Sequence, residues 1–92
     1  MNTSPIGIFD SGIGGLSILK EINRILPNEN TIYLADNKNC PYGSKSISRI
    51  IKLSLKNTSV LAEMNCKIIV IACNTATTNA IQEIRNLFPI DR

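Results

Sequence analysis

Residues 67–78 read KIIVIACNTATT, a lysine and five apolar residues that end on a cysteine followed by small polar side chains. An apolar run that short, saturated instead of alternating, is the pattern of a strand buried on both faces in a parallel sheet. Beyond CNTATT, Ala80, Ile81, Ile84, Leu87 and Phe88 recur every three or four residues, which predicts a helix. The same strand, turn and helix occur twice upstream. PIGIFD (5–10) stops in DSGIGG, and LSILKEINRIL then puts Leu16, Leu19, Ile22 and Leu26 at helical spacing before Pro27. TIYLAD (31–36) is followed by the turn-rich NKNCPYGSKS and a long periodic stretch with Ile47, Ile51, Leu55 and Ala62 on one stripe. Three such units predict an α/β fold of order β-α-β-α-β-α. Right-handed crossovers would place helices on both faces of a parallel sheet, giving three layers.

Ninety-two residues make one domain, and a chain of that size buries only about 60% of its unfolded surface. The composition is that of a soluble α/β protein, with 43% hydrophobic and 18% charged residues. A net charge of +3, dispersed along the chain, does not suit a nucleic-acid partner. No leading apolar stretch has the signal-peptide form, and the longest apolar run, 68–73, is too short to span a bilayer, so no membrane association and a cytoplasmic location are expected. Cys40, Cys66 and Cys73 are odd in number and irregular in spacing, and histidine is absent, which argues against a disulfide framework and against a metal site. The closing FPIDR (88–92) holds a Pro-Ile pair of the kind that opens a further strand, so the chain reads as a piece of something longer.

In an open parallel sheet, ligands bind beyond the carboxyl ends of the strands. Three polar clusters fall there: Asp10-Ser11-Gly12 after the first strand, Asp36 through Pro41-Tyr42-Gly43 after the second, and Cys73-Asn74-Thr75 after the third. At a helix start, unpaired backbone N–H groups and the positive end of the helix dipole favour a thiolate over a thiol, so Cys73 is a candidate proton carrier. Asn74 and Thr75 suit capping of that helix, and its N–H groups could also receive a substrate carboxylate. DSGIGG, with Gly12, Gly14 and the later Asp36, also resembles a dinucleotide fingerprint. Ser17 stands where the third glycine belongs, and Asp10 would set a negative charge beside a pyrophosphate. A carboxylate there better suits an ammonium group or a proton that must be steered. Gly12, Gly14 and Gly15 also allow a tight turn and a close helix, Pro41-Tyr42-Gly43 is ordinary turn chemistry, and Cys66 lacks any such setting.

GIFDSGIGGLSIL, YLADNKNCPYGSKS and IIVIACNTATTNAI, in that order, resemble the three leading motifs of glutamate racemase, within the aspartate/glutamate racemase superfamily. The resemblance covers residues 6–88. It implies an incomplete first lobe of a two-lobed enzyme: residues 1–92 are the amino-terminal part of that lobe, with the second lobe and the carboxy-terminal return segment absent. It implies cofactor-independent interconversion of L- and D-glutamate for peptidoglycan synthesis, with glutamate as the small-molecule partner. A homodimer stays open as the assembly of the full-length enzyme. Cys73 would be one of two catalytic thiols, on the D-glutamate side, and Asp10 would assist proton traffic and touch substrate. Ser11, Pro41, Tyr42, Gly43, Asn74 and Thr75 would hold the amino acid. NKNC before Pro41 departs from the commoner loop, so the resemblance assigns no role to Cys40 and leaves its role open. The second thiol, followed by Thr and His in the family, has no counterpart in this chain, so these residues alone are expected to be inactive. Two other readings stand beside this one: an inactive remnant or interaction module with the same fold, and a dinucleotide-binding unit.

Overall fold

The structure, a computed structural model, describes residues 3–12 and 15–87. Its order is β1 (Ile6–Asp10), α1 (Gly15–Ile25), β2 (Thr31–Ala35), α2 (Ile47–Glu63), β3 (Ile68–Ile71) and α3 (Asn74–Leu87), with short 3₁₀ turns at Asn37–Asn39 and Tyr42–Ser44 between β2 and α2. All six expected elements form. The expected Gly14, Phe88 and Pro89-Ile90 features, and the side chain of Leu87, lie outside the described residues.

The three strands pair in parallel in the order β2-β1-β3, with Ile6 opposite Thr31 and Ile68, and Phe9 opposite Leu34 and Ile71. Central β1 is therefore buried along its whole length. The pleat divides its side chains between two faces. Phe9 packs with Tyr42, Ile50, Leu53, Leu61, Cys73 and Ala76, flanked by Ile32, Leu34, Ile69 and Ile71. This is the side of α2 and α3, which pack on each other. Ile8 and Asp10 alternate to the other face, where α1 lies against β1 and β2.

Two expectations need correction. The face that α2 buries is Ile50, Leu53, Ser54, Asn57, Thr58 and Leu61, not the stripe through Ile47, Ile51, Leu55 and Ala62, and Ile47 is 62% exposed. An apolar count misses this face because three of its members are polar, and two of these find local acceptors: Thr58 Oγ1 donates to Ser54 O at 2.7 Å and Asn57 Nδ2 to Leu53 O at 2.9 Å. The third, Ser54, has a buried Oγ with no partner among the described residues. Secondly, β3 is not covered on both faces by the described residues. It lies at the sheet edge, α1 sits over β1 and β2, and Ile68 on that side is 54% exposed.

Gly7 has a packing requirement of its own. A Cβ there would stand 2.8 Å from Cys66 Sγ and 3.3 Å from Leu61 Cδ2. Half-buried Cys66 is thus packing material under β1, with its thiol pushed above the ordinary range by burial. Gly7→Ala is expected to cost about 2 kcal/mol through overpacking. Adding Cys66→Ala should return most of that loss in urea unfolding, and an additive double variant would refute the contact.

No helix among the described residues is long and apolar enough to cross a membrane, and no cluster of His, Cys, Asp or Glu among them is arranged to hold a metal ion.

Candidate functional site

The register brings the three polar clusters to one edge. Asp10 is level with Ala35, and the ladder continues past both neighbours: Asp36 N donates to Asp10 O at 2.9 Å and Ala72 N to Phe9 O at 2.8 Å. Asp36 and Cys73 therefore each leave the sheet one residue beyond that level.

Cys73 is the residue immediately before α3. Its carbonyl accepts the first helical bond from Thr77 N at 2.9 Å, and its sulfur accepts from Ala76 N at 3.4 Å. The thiol itself caps the helix. This corrects the capping expected of Asn74 and Thr75: they occupy the first two helical positions, where a side chain cannot reach forward to an orphan N–H as the preceding residue does. Cys73 as a residue is 7% exposed and belongs to the buried cluster with Phe9, Tyr42, Leu53 and Ala76, and its sulfur has an amide N–H as a polar contact.

Tyr42 is 1% exposed and its ring lies 6.1 Å from that of Phe9, centroid to centroid. Its hydroxyl donates to Asp36 Oδ2 at 2.6 Å, and Asn57 Nδ2 from α2 approaches both the carboxylate, at 3.1 Å, and the phenol oxygen, at 3.0 Å. Asn39 Nδ2 donates to Asp36 Oδ1 at 3.0 Å. Burial works against the Asp36 carboxylate, but the bonds from Tyr42, Asn39 and Asn57 outweigh it and hold the group below its usual range. Burial first, and then the Asp36 bond and charge, push the Tyr42 phenol well above its own. This network ties the loop after β2 to α2 beside the Cys73 cluster. A ribose hydroxyl would compete with three side-chain donors for Asp36, which disfavours dinucleotide binding there.

On the opposite face, Asp10 is fully buried. Its Oδ2 accepts from Gly15 N at 2.8 Å and from Tyr33 OH at 3.0 Å, while Oδ1 has no partner among the described residues. Gly15 is required: a Cβ there would lie 2.6 Å from Asp10 Cβ, Cγ and Oδ2. Gly12 turns the chain at φ 115°, the left-handed region that glycine enters freely. Ser11 is buried, Pro41, Gly43 and Asn74 are exposed, and Thr75 is half-buried. Cys40 Cβ lies 3.3 Å from where a Gly12 Cβ would be, which packs the second loop on the first. The edge thus carries a thiol on one face and a carboxyl on the other.

Proteins already known show the same arrangement of chain. The glutamate racemase of Herpetosiphon aurantiacus is 50% identical over 90 residues, a match that covers 98% of this chain and 35% of that protein. That of Clostridium novyi is 51% identical over 84 residues, covering 91% and 32%. Among solved structures, glutamate racemase from Francisella tularensis in complex with D-glutamate superposes with a TM-score of 0.92 at 42% identity over 97% of this chain. The chain resembles glutamate racemase in sequence and in fold. It spans about a third of the length of the curated relatives it matches, and 34% of the Francisella chain. No protein-family model matches it. The β2-β1-β3 sheet with its flanking helices lies within the part of the chain that superposes on the Francisella glutamate racemase. The sequence motifs did not draw attention to Tyr33 or Asn57. Tyr33 is in phase with Asp10 once the register is known, and Asn57 is a polar residue on the buried face of α2.

Proposed function

We propose that this chain supplies one side of the site of a cofactor-independent enzyme that interconverts L- and D-glutamate, acting as part of a longer polypeptide in the cytoplasm and supplying D-glutamate for peptidoglycan. The observation that carries this is the placement of Cys73: a thiol at a helix start, at the carboxyl edge of the sheet, level with Asp36 and one residue beyond Asp10.

Inverting the α-carbon requires a base on one face and an acid on the other. Cys73, as thiolate, takes the α-proton of D-glutamate and leaves a carbanion. A second acid, from outside these residues, protonates the opposite face. Asp10 receives the ammonium group or guides the proton. Ser11, Pro41, Gly43, Asn74 and Thr75 hold the amino acid, as does Tyr42 through its backbone, since its hydroxyl is engaged by Asp36.

Chiral chromatography of glutamate tests this. The 92-residue chain is expected to give no D-glutamate from L-glutamate, and the longer polypeptide is expected to reach a racemic mixture. Racemisation by the chain alone would remove the need for a second lobe. No racemisation by the longer polypeptide would remove the assignment.

A further inference from the structure

Asp10 is the one described carboxylate with an oxygen both inaccessible and unpaired. A buried acceptor left empty is costly, so its orientation has to be enforced by something else. Two groups do this, both on Oδ2. Gly15 N approaches from the start of α1, and Tyr33 OH approaches from β2. The register explains the second contact: Tyr33 pairs with Ile8, so Asp10 is its diagonal neighbour on the same sheet face, a span that an aromatic side chain covers. On the other side, the absent Cβ of Gly15 lets the helix close onto the carboxyl to within van der Waals limits.

We propose that Tyr33 is a positioning residue for the racemisation: with the Gly15 amide it occupies Oδ2 of Asp10 and fixes the rotation of the carboxyl, leaving Oδ1 as the oxygen that can carry the carboxyl's proton. This rests on the glutamate racemase function proposed above. Without the phenol the carboxyl can rotate about its Cβ–Cγ bond, and either oxygen can satisfy the Gly15 amide. Burial, followed by the Asp10 bond and charge, pushes the Tyr33 phenol above its ordinary range, so it remains a protonated donor at neutral pH. Tyr33 touches no reacting atom in this scheme and works through Asp10.

The test is steady-state kinetics of the full enzyme with Tyr33→Phe, which keeps the ring against the sheet. A roughly tenfold fall in kcat is expected, with KM within about twofold and a larger primary deuterium effect on kcat for α-deuterated glutamate. A merely structural role would not enlarge that isotope effect. An unchanged kcat, or a raised KM at constant kcat, would overturn the proposal. If Tyr33→Phe fails to fold, 3-fluorotyrosine at position 33 retains both ring and hydroxyl. Its ¹⁹F resonance is expected to move on adding glutamate to the otherwise wild-type enzyme and to stay in place in an Asp10→Asn background; no movement in the first would also overturn it. Cys73→Ala in the same series separates the two levels. Full activity there sinks the racemase assignment itself, whereas loss there with an unaltered Tyr33→Phe sinks only the role of Tyr33.

Discussion

Replacing Asp36 by alanine is expected to destabilise the chain by about 2 kcal/mol, because it strips a charged acceptor from a part-buried network. The Tyr42 hydroxyl and the Asn57 amide, both buried, lose their shared partner at one stroke, and Asn39 loses its own. For a domain of this size such a loss is a large share of a total of roughly 5–15 kcal/mol. The pH dependence carries its own signature. Since the folded state holds the Asp36 carboxyl below its ordinary range, the unfolded chain binds the proton first as pH falls. The stabilisation is complete above about pH 4 and is lost as pH drops through the folded value. The Tyr42 phenol, raised in the folded state, acts in the opposite direction: its contribution is complete below about pH 10 and is lost as pH rises beyond that. Urea unfolding of wild type, Asp36→Ala and Tyr42→Phe across pH should show the acid limb weakened in the first variant and the alkaline limb weakened in the second. A change below about 1 kcal/mol in Asp36→Ala, with both limbs intact, would show that the network contributes little.

Cys73→Ala in the full enzyme is expected to reduce kcat for D-glutamate by about 10³-fold or more, the scale of a lost acid–base group. The same substitution removes the cap accepted from Ala76 N and should cost about 1 kcal/mol of stability. Cys73→Ser separates the two effects. A serine oxygen restores the cap yet is a far weaker base than a thiolate, so stability should recover while activity does not. If Cys73→Ser kept wild-type kcat, the sulfur would be a cap and a packing group only.

The architecture was legible because its signals are redundant. IIVI, IGIFD and TIYLA are short apolar runs ending in polar turns, and the helices between them leave a parallel sheet as the compact solution. The gathering of Asp10, Asp36 and Cys73 at one edge followed from that topology alone, since strands that run parallel share a carboxyl end. What could not be read was anything set by register or by polar packing. The buried face of α2 is partly Ser54, Asn57 and Thr58, and a pattern of apolar residues cannot reveal polar groups that bury themselves by bonding their own helix or a neighbouring loop. Tyr33 reads as an ordinary strand residue until its pairing with Ile8 places it beside Asp10. Tyr42 stands out in the sequence as a turn residue, but the bond of its hydroxyl to Asp36 needs the loop's path in three dimensions. The capping by Cys73 itself was missed because thiols are not among the usual caps.

The most direct test of the sulfur as proton carrier is solvent exchange at the α-carbon. Full-length enzyme is incubated with D-glutamate in D₂O, and loss of the α-proton is followed by ¹H NMR for wild type and Cys73→Ala. The wild-type enzyme should wash the proton out within the time of racemisation, and the variant should leave it in place. Exchange at the wild-type rate in the variant would mean that another group removes the proton and that Cys73 serves only the fold.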